Sequence, residues 1–192
     1  MCCRYYYADR IARRVEEDME LPEGFCAHNY GDITPGMMGL SLIKGSGAGV
    51  KAYNMKWGLT GKDSKLIINA RAESAVRKPM FSDSIRSRRC VLPAGGFYEW
   101  NKDKTKFTFK RPDEEPMYLA GFYDLRDNED RFVILTTDAN DSMRPVHDRM
   151  PVMIDKKNVA DYLYDEAAAY DLIKKKMPEL DRSCDYEQLS LF

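Results

Sequence analysis

The stretch KFTFKRPDEEPMYLAGFYDLRDNEDRFVILTT, residues 106–137, decides the fold class. It holds three short runs, 106–111, 117–123 and 131–137, rich in aromatic and β-branched side chains. The intervening PDEEP and DLRDNED supply the proline, aspartate and asparagine that close turns. Working outward, 66–69, 89–93 and 152–154 repeat the pattern, which predicts an antiparallel, β-rich core from residue 66 onward. Residues 8–20 place Ile11 and Val15 four apart amid charges and read as an amphipathic helix. Two more helices are predicted at 157–164 and 166–177, the second stopping before Pro178. Residues 31–50, glycine-rich with Pro35 inside, read as loop plus a short strand. The prediction is an α+β chain. A single compact domain over 1–182 surrounds a curved, mainly antiparallel, β-barrel-like sheet with flanking helices, and a tail follows at 183–192.

A chain of 192 residues, 44% hydrophobic and 32% charged, is long enough to bury a real core and too apolar to be disordered. No apolar run approaches the ~20 residues of a membrane-spanning helix. The opening MCCRYYYADR lacks the apolar centre of a signal peptide, so a cytoplasmic protein is expected. The formal net charge of −1 argues at first sight against nucleic acid as a partner. Its distribution argues otherwise. Residues 56–111 carry 14 basic against 5 acidic side chains and residues 112–192 carry 10 against 19, so a basic middle segment is balanced by an acidic one. A local basic patch, not the whole-chain charge, sets affinity for phosphates.

Five cysteines, at 2, 3, 26, 90 and 184, are odd in number and irregular in spacing, and a disulfide framework is not expected. Cys2, Cys3, Cys26 and His28 could be imagined around zinc, but no Cys-x-x-Cys pair anchors such a site, so neither metal nor cofactor is expected. Cys2 is the most informative of the five. Removal of Met1 exposes an N-terminal cysteine bearing a free α-amine (pKa about 7.7–8.0) beside a thiol (about 8.5). Such a 1,2-aminothiol condenses with an aldehyde to a Schiff base, and the adjacent sulfur then closes a five-membered thiazolidine. Two further segments suit this chemistry. RCVLPAGGFYEW, residues 89–100, sets Glu99 between Tyr98 and Trp100, an aromatic setting fit for a general acid or base, with Gly95-Gly96 able to bring backbone close. A surface-strand glutamate paired with a lysine or arginine is the plainer reading. MRPVHDRMPVMI, residues 143–154, sets His147 at the mouth of an apolar strand, where a histidine shuttles protons or serves structure alone.

MCCRYYY at 1–7, NARAES at 69–74, RCVLPAGGFYEW at 89–100 and MRPVHDRMPV at 143–152, in that order, closely resemble the SOS-response-associated peptidase (SRAP) family, whose members crosslink to abasic sites in single-stranded DNA. The resemblance runs from residue 1 to about 164 and implies a compact α+β domain around a barrel-like sheet. It implies Cys2 as the crosslinking nucleophile, freed by loss of Met1, and Asn69 as the side chain holding the new N-terminus. Glu99 would manage protons on the α-amine and open the abasic sugar to its aldehyde, and His147 would assist ring opening, Schiff-base proton transfers and crosslink reversal, a lyase-type step. Arg4, Arg71 and Arg149 resemble the family's phosphate-contacting arginines, and Trp57 a tryptophan that stacks on an exposed base. A core tryptophan is the alternative for Trp57.

The chain also departs from the family pattern. Cys3 replaces a usual glycine, and TGKDSK after MKWGL lacks the second half of the base-stacking wedge. Cys3 cannot form the same ring, because its nitrogen is an amide. QLSLF, with Gln188, Leu189, Leu191 and Phe192, looks like the peptide by which bacterial repair proteins dock on the replication sliding clamp, or else covers its own domain as a strand. A monomer acting on single-stranded DNA at the replication fork is the leading expectation. A cysteine-dependent peptidase using Cys2, His147 and Glu99, or a clamp-tethered DNA-binding module using only the basic segment, are the alternatives.

Overall fold

The computed structural model describes residues 2–26, 30–47, 49–61, 65–126 and 128–184. Its strands are β1 (Arg4–Tyr7), β2 (Gly31–Ile33), β3 (Met38–Lys44), β4 (Val50–Trp57), β5 (Leu59–Thr60), β6 (Leu66–Ile67), β7 (Asn69–Arg71), β8 (Arg89–Ala94), β9 (Gly96–Trp100), β10 (Lys106–Lys110), β11 (Met117–Arg126), β12 (Glu129–Asp138), β13 (Arg149–Pro151) and β14 (Asp181–Cys184). The helices are α1 (Asp9–Asp18), α2 (Ala72–Ala75), α3 (Ser82–Ser87), α4 (Val159–Tyr164) and α5 (Glu166–Leu172).

The hairpin foreseen in 106–137 is the spine of the molecule. β11 and β12 pair antiparallel from Gly121 opposite Ile134 to Arg126 opposite Glu129. β11 then pairs with β8, β8 with β3, β3 with β4, and β4 returns to β12 through Lys56 opposite Arg131 and Trp57 opposite Phe132. The circuit closes into a five-stranded barrel, and only the β4–β12 seam in it is parallel. Closure leaves no open edge in this circuit, so every stave turns one face to a dry interior. Trp57, Met55, Leu92 and Phe132 fill it and are wholly buried, while Phe122 and Leu42, on the outer face, are buried beneath the helices, Phe81 packing on Phe122 at 5.3 Å.

A second, antiparallel sheet runs in the order β14-β10-β9-β1-β2. It joins the barrel where β8 passes through Gly95 into β9. These glycines serve packing against Tyr6 rather than the site. A Cβ on Gly95 would meet the Tyr6 ring at 2.4 Å, and one on Gly96 would meet the Phe109 carbonyl oxygen at 2.4 Å. Helix α1 lays Ile11, Ala12 and Val15 on the core, as its spacing predicts. Helix α5 starts where the Asp165 carboxylate accepts the amides of Ala167 and Ala168.

The α+β, barrel-like, mainly antiparallel architecture is as the sequence predicts. Residues 31–50 differ from the expected loop plus short strand: they hold β2, the barrel stave β3 and the start of β4. The sheet also runs through Cys184, two residues past 182. Among the described residues no helix is long and apolar enough to cross a membrane.

Candidate functional site

Strand β1 lies against β9 with Arg4 opposite Tyr98 and Tyr5 opposite Phe97. Extending that register by one pair brings Cys3 level with Glu99. Strand β7 runs parallel to β12, with Asn69 opposite Ile134, so the barrel wall holds Asn69 at the end of β1. The Asn69 Nδ2 group donates to the Cys2 carbonyl oxygen at 2.7 Å. Cys2 is 1% exposed, and its Sγ lies 3.7 Å from the Arg4 carbonyl oxygen. Glu99 is buried, and its Oε1 accepts the Trp100 amide at 3.2 Å. Burial, reinforced by the Glu99 carboxylate, pushes the Cys2 thiol far above its ordinary range. The same two causes, in the same order, raise Cys3. Cys2, Asn69 and Glu99, distant in sequence, thus meet in one buried corner, where the resting sulfur is a thiol and not a thiolate.

His147 arrives from a different direction. The turn before β13 is pinned by Asn140, whose Nδ2 donates to the carbonyls of Met177 (3.2 Å) and Pro178 (2.8 Å) and whose Oδ1 accepts from Ser142 Oγ (2.7 Å). His147 Nδ1 lies 3.0 Å from the Arg149 amide and 2.9 Å from Asp148 Oδ1. Thr136 of β12 lies opposite both Arg71 of β7 and Pro151 of β13, so the Asn69 and His147 segments flank β12 on its two edges.

The arginines divide. Arg71 is exposed on β7, two residues beyond Asn69. Arg4 is partly exposed, with its guanidinium 5.5 Å above the Trp100 ring and 3.5 Å from Asp32. Arg149 departs from the expected phosphate contact. It is buried, donates to the Thr136 carbonyl at 2.8 Å and is clamped by Glu73 and Asp138, so its charge is already neutralised. Glu73 responds in kind: burial raises its carboxyl, but the Arg149 hydrogen bond, its own backbone amide and the charges of Arg149 and Arg71 together outweigh that, and the net shift is downward. Trp57 is likewise no stacking platform. Its Nε1 donates to the Ile68 carbonyl at 2.9 Å, Phe132 stacks on it at 6.0 Å and Tyr5 packs at 5.4 Å, leaving no exposed face.

Several contributors carry no signal in the sequence. Tyr5 Oη and Asn69 Oδ1 are both buried without a hydrogen-bond partner among the described residues. Gly39 makes room for that hydroxyl, since a Cβ there would stand 2.3 Å from it. Asn140 and Trp100 are further examples, visible only once the turn and the β1–β9 pairing exist. Met1, His28, the 62–64 part of TGKDSK, and Gln188, Leu189, Leu191 and Phe192 lie outside the described residues.

The family model described as "SOS response associated peptidase (SRAP)" matches residues 1–189. The Bacillus subtilis abasic site processing protein YoqW is 30% identical over 188 residues, covering 90% of this chain and 83% of its own. YobE of the same organism, also an abasic site processing protein, is 31% identical over 170 residues, covering 81% and 77%. A crystal structure of a Bordetella bronchiseptica protein superposes with a TM-score of 0.80 at 22% identity, covering 95% of this chain and 99% of its own. At that identity it speaks for the fold alone.

Proposed function

The chain belongs to the SOS response associated peptidase family, and from that premise we propose that it processes abasic sites in DNA, capturing them in single strands through Cys2. Relatives named abasic site processing proteins support the lesion class. The observation that carries the residue assignment is the corner where Asn69 Nδ2 holds the Cys2 carbonyl at 2.7 Å beside buried Glu99.

The chemistry follows from the environment of the sulfur. With Met1 removed, the Cys2 amine attacks the aldehyde carbon of the opened sugar, and the carbinolamine loses water to give a Schiff base. The Cys2 thiol, held protonated by burial, then adds to the imine carbon while its proton passes to the ring nitrogen. Aminothiol and aldehyde thus become thiazolidine and water, with no redox change. Glu99 and His147 are the groups that move these protons, and Asn69 keeps the N-terminus aimed. Partly exposed Arg4 and exposed Arg71 are the cations that take backbone phosphates. QLSLF docks on the sliding clamp and brings the protein to the fork, where the adduct shields the lesion.

The test is incubation of purified protein with single-stranded DNA bearing one abasic site, followed by denaturing electrophoresis and intact mass measurement. A denaturation-resistant species with the mass of protein without Met1, plus strand, minus water is expected, and Cys2→Ala abolishes it. Absence of that species from protein confirmed to lack Met1 overturns the reading. Turnover of external peptides, requiring a thiolate that the burial of Cys2 disfavours, would favour the peptidase alternative.

A further inference from the structure

We propose that the groove between α2 and the end of α5 seats a nucleotide flanking the lesion, with Lys174, Lys175 and Lys176 holding the adjoining phosphates. The proposal rests on the reading that single-stranded DNA is the partner, and it extends that partner's footprint.

The groove has a volume of about 380 Å³ and is lined by Ala72, Val76, Thr137, Tyr170 and Ile173, with Lys174 at its lip. That is the size and apolar character of a site for a flat ring system such as one nucleobase. It also continues the site already described. Asn69, bonded to Cys2, is followed by exposed Arg71 and then by Ala72 of the groove wall. A strand held at Cys2 and passing Arg71 therefore reaches this groove next.

Charge complementarity selects the occupant. Arg77 and Lys78, just past α2, are exposed, as are Lys174, Lys175 and Lys176 at the end of α5. Arg77 donates to the Glu73 backbone carbonyl, and Lys174 has only a loose 3.8 Å contact with Asp171, itself 80% exposed. The one carboxylate lining the groove, Glu73, is engaged by Arg149 and so opposes an anion least. Lys174 is thus at the lip, and the other exposed cations follow lining residues along the chain, Arg77 and Lys78 after Val76 and Lys175 and Lys176 after Lys174. A solvated lysine face would place its cations without regard to a slot, whereas a nucleotide needs both together.

The experiment compares the parent with Lys174→Gln/Lys175→Gln/Lys176→Gln and with Val76→Gln. Each binds a fluorescent single-stranded oligonucleotide carrying a tetrahydrofuran abasic analogue, which has no aldehyde to capture, across a salt series. One oligonucleotide extends well past the lesion and one barely flanks it. On the long strand the lysine variant is expected to lower the slope of log affinity against log salt by about 2, at ~0.7 per lost phosphate contact. Val76→Gln is expected to weaken long-strand binding without changing the slope. Neither variant is expected to alter binding of the short strand. Equal slopes and affinities on the long strand overturn the proposal, as does equal weakening on both strands, or an effect confined to duplex. The parent's failure to crosslink a true abasic strand would overturn the Cys2 assignment instead, leaving the long-strand slope to judge the groove.

Discussion

Replacing Asn69 by alanine tests the core of the proposed chemistry. The substitution deletes the 2.7 Å bond from Asn69 Nδ2 to the Cys2 carbonyl, in a corner where Cys2 is 1% exposed. Such a neutral bond is worth about 0.5–1.5 kcal/mol net, and leaving its buried acceptor unpaired brings the cost to about 1–3 kcal/mol. Expressed wholly in aiming the N-terminus, at 1.36 kcal/mol per tenfold, this slows capture by roughly 5- to 150-fold. The assay is single-turnover adduct formation, with protein in excess over an abasic strand and time points resolved on a denaturing gel. Urea unfolding of the same variant separates lost aim from lost fold. Asn69→Asp keeps the shape but turns an acceptor toward the carbonyl and adds a charge near Glu99, so it is expected to be slower still. Capture by Asn69→Ala within about twofold of the parent, at parental stability, would refute the reasoning, since less than about 0.5 kcal/mol would then have gone into aiming.

Three more outcomes follow from the site's surroundings. Trp57→Ala empties a fully buried slot between Tyr5 and Phe132 and is expected to cost about 3–5 kcal/mol by urea unfolding; parental stability with lost DNA affinity would instead restore a stacking role. Arg149→Ala removes the clamp on Glu73, Asp138 and the Thr136 carbonyl and is expected to lower stability by about 1–3 kcal/mol, while an unchanged urea midpoint with a smaller salt dependence of DNA binding would return Arg149 to the phosphate contacts. Alkaline pH is expected to destabilise the fold: burial pushes Cys26 up to about 12 and raises Cys2 and Cys90 above the ordinary thiol range, so the native state binds more protons than the unfolded chain above about pH 8.5. That stability is complete below the unfolded thiol pKa and is lost as pH rises toward the folded values, by up to about 1.4 kcal/mol per pH unit per thiol; urea midpoints that stay flat from about pH 7.5 to 9.5 would contradict it.

The parts of the fold that could be read from sequence are those whose burial is uniform along most of the strand. β11 and β12 are nearly continuous apolar runs because they are staves of the closed barrel, buried on both faces over most of their length. β4 is different: Lys51 and Tyr53 are exposed while Met55 and Trp57, on the same face, are buried. The strand enters the barrel midway, so no single alternation describes it and the pattern dissolves into its glycine-rich surroundings. The site divides similarly. Glu99 between aromatics signals a buried carboxylate, as observed. The fate of Arg149 depends on Glu73, 76 residues away, and Asp138, 11 residues away, and no local pattern reports such partners. Trp57 is equally apolar whether it stacks on a base or on Phe132, and only the β4–β12 register decides.

Charge distribution shows the same limit more sharply. The +9 of residues 56–111 overstates what DNA would meet, because Arg89 is buried against the Tyr162 and Leu163 carbonyls and Arg88 pairs with Asp124 at 2.9 Å. The acidic segment 112–192, in turn, holds exposed Lys174 at the lip of the α2–α5 groove, followed by exposed Lys175 and Lys176. Folding therefore redistributes the two segments. It takes Arg88 and Arg89 of the basic one into ion pairs and the core, and sets Lys174 of the acidic one in the groove that Ala72 and Glu73 also line. On the function proposed above, a net charge of −1 fits selectivity: bulk duplex meets a surface close to neutral, while a strand held at Cys2 meets the exposed Arg71.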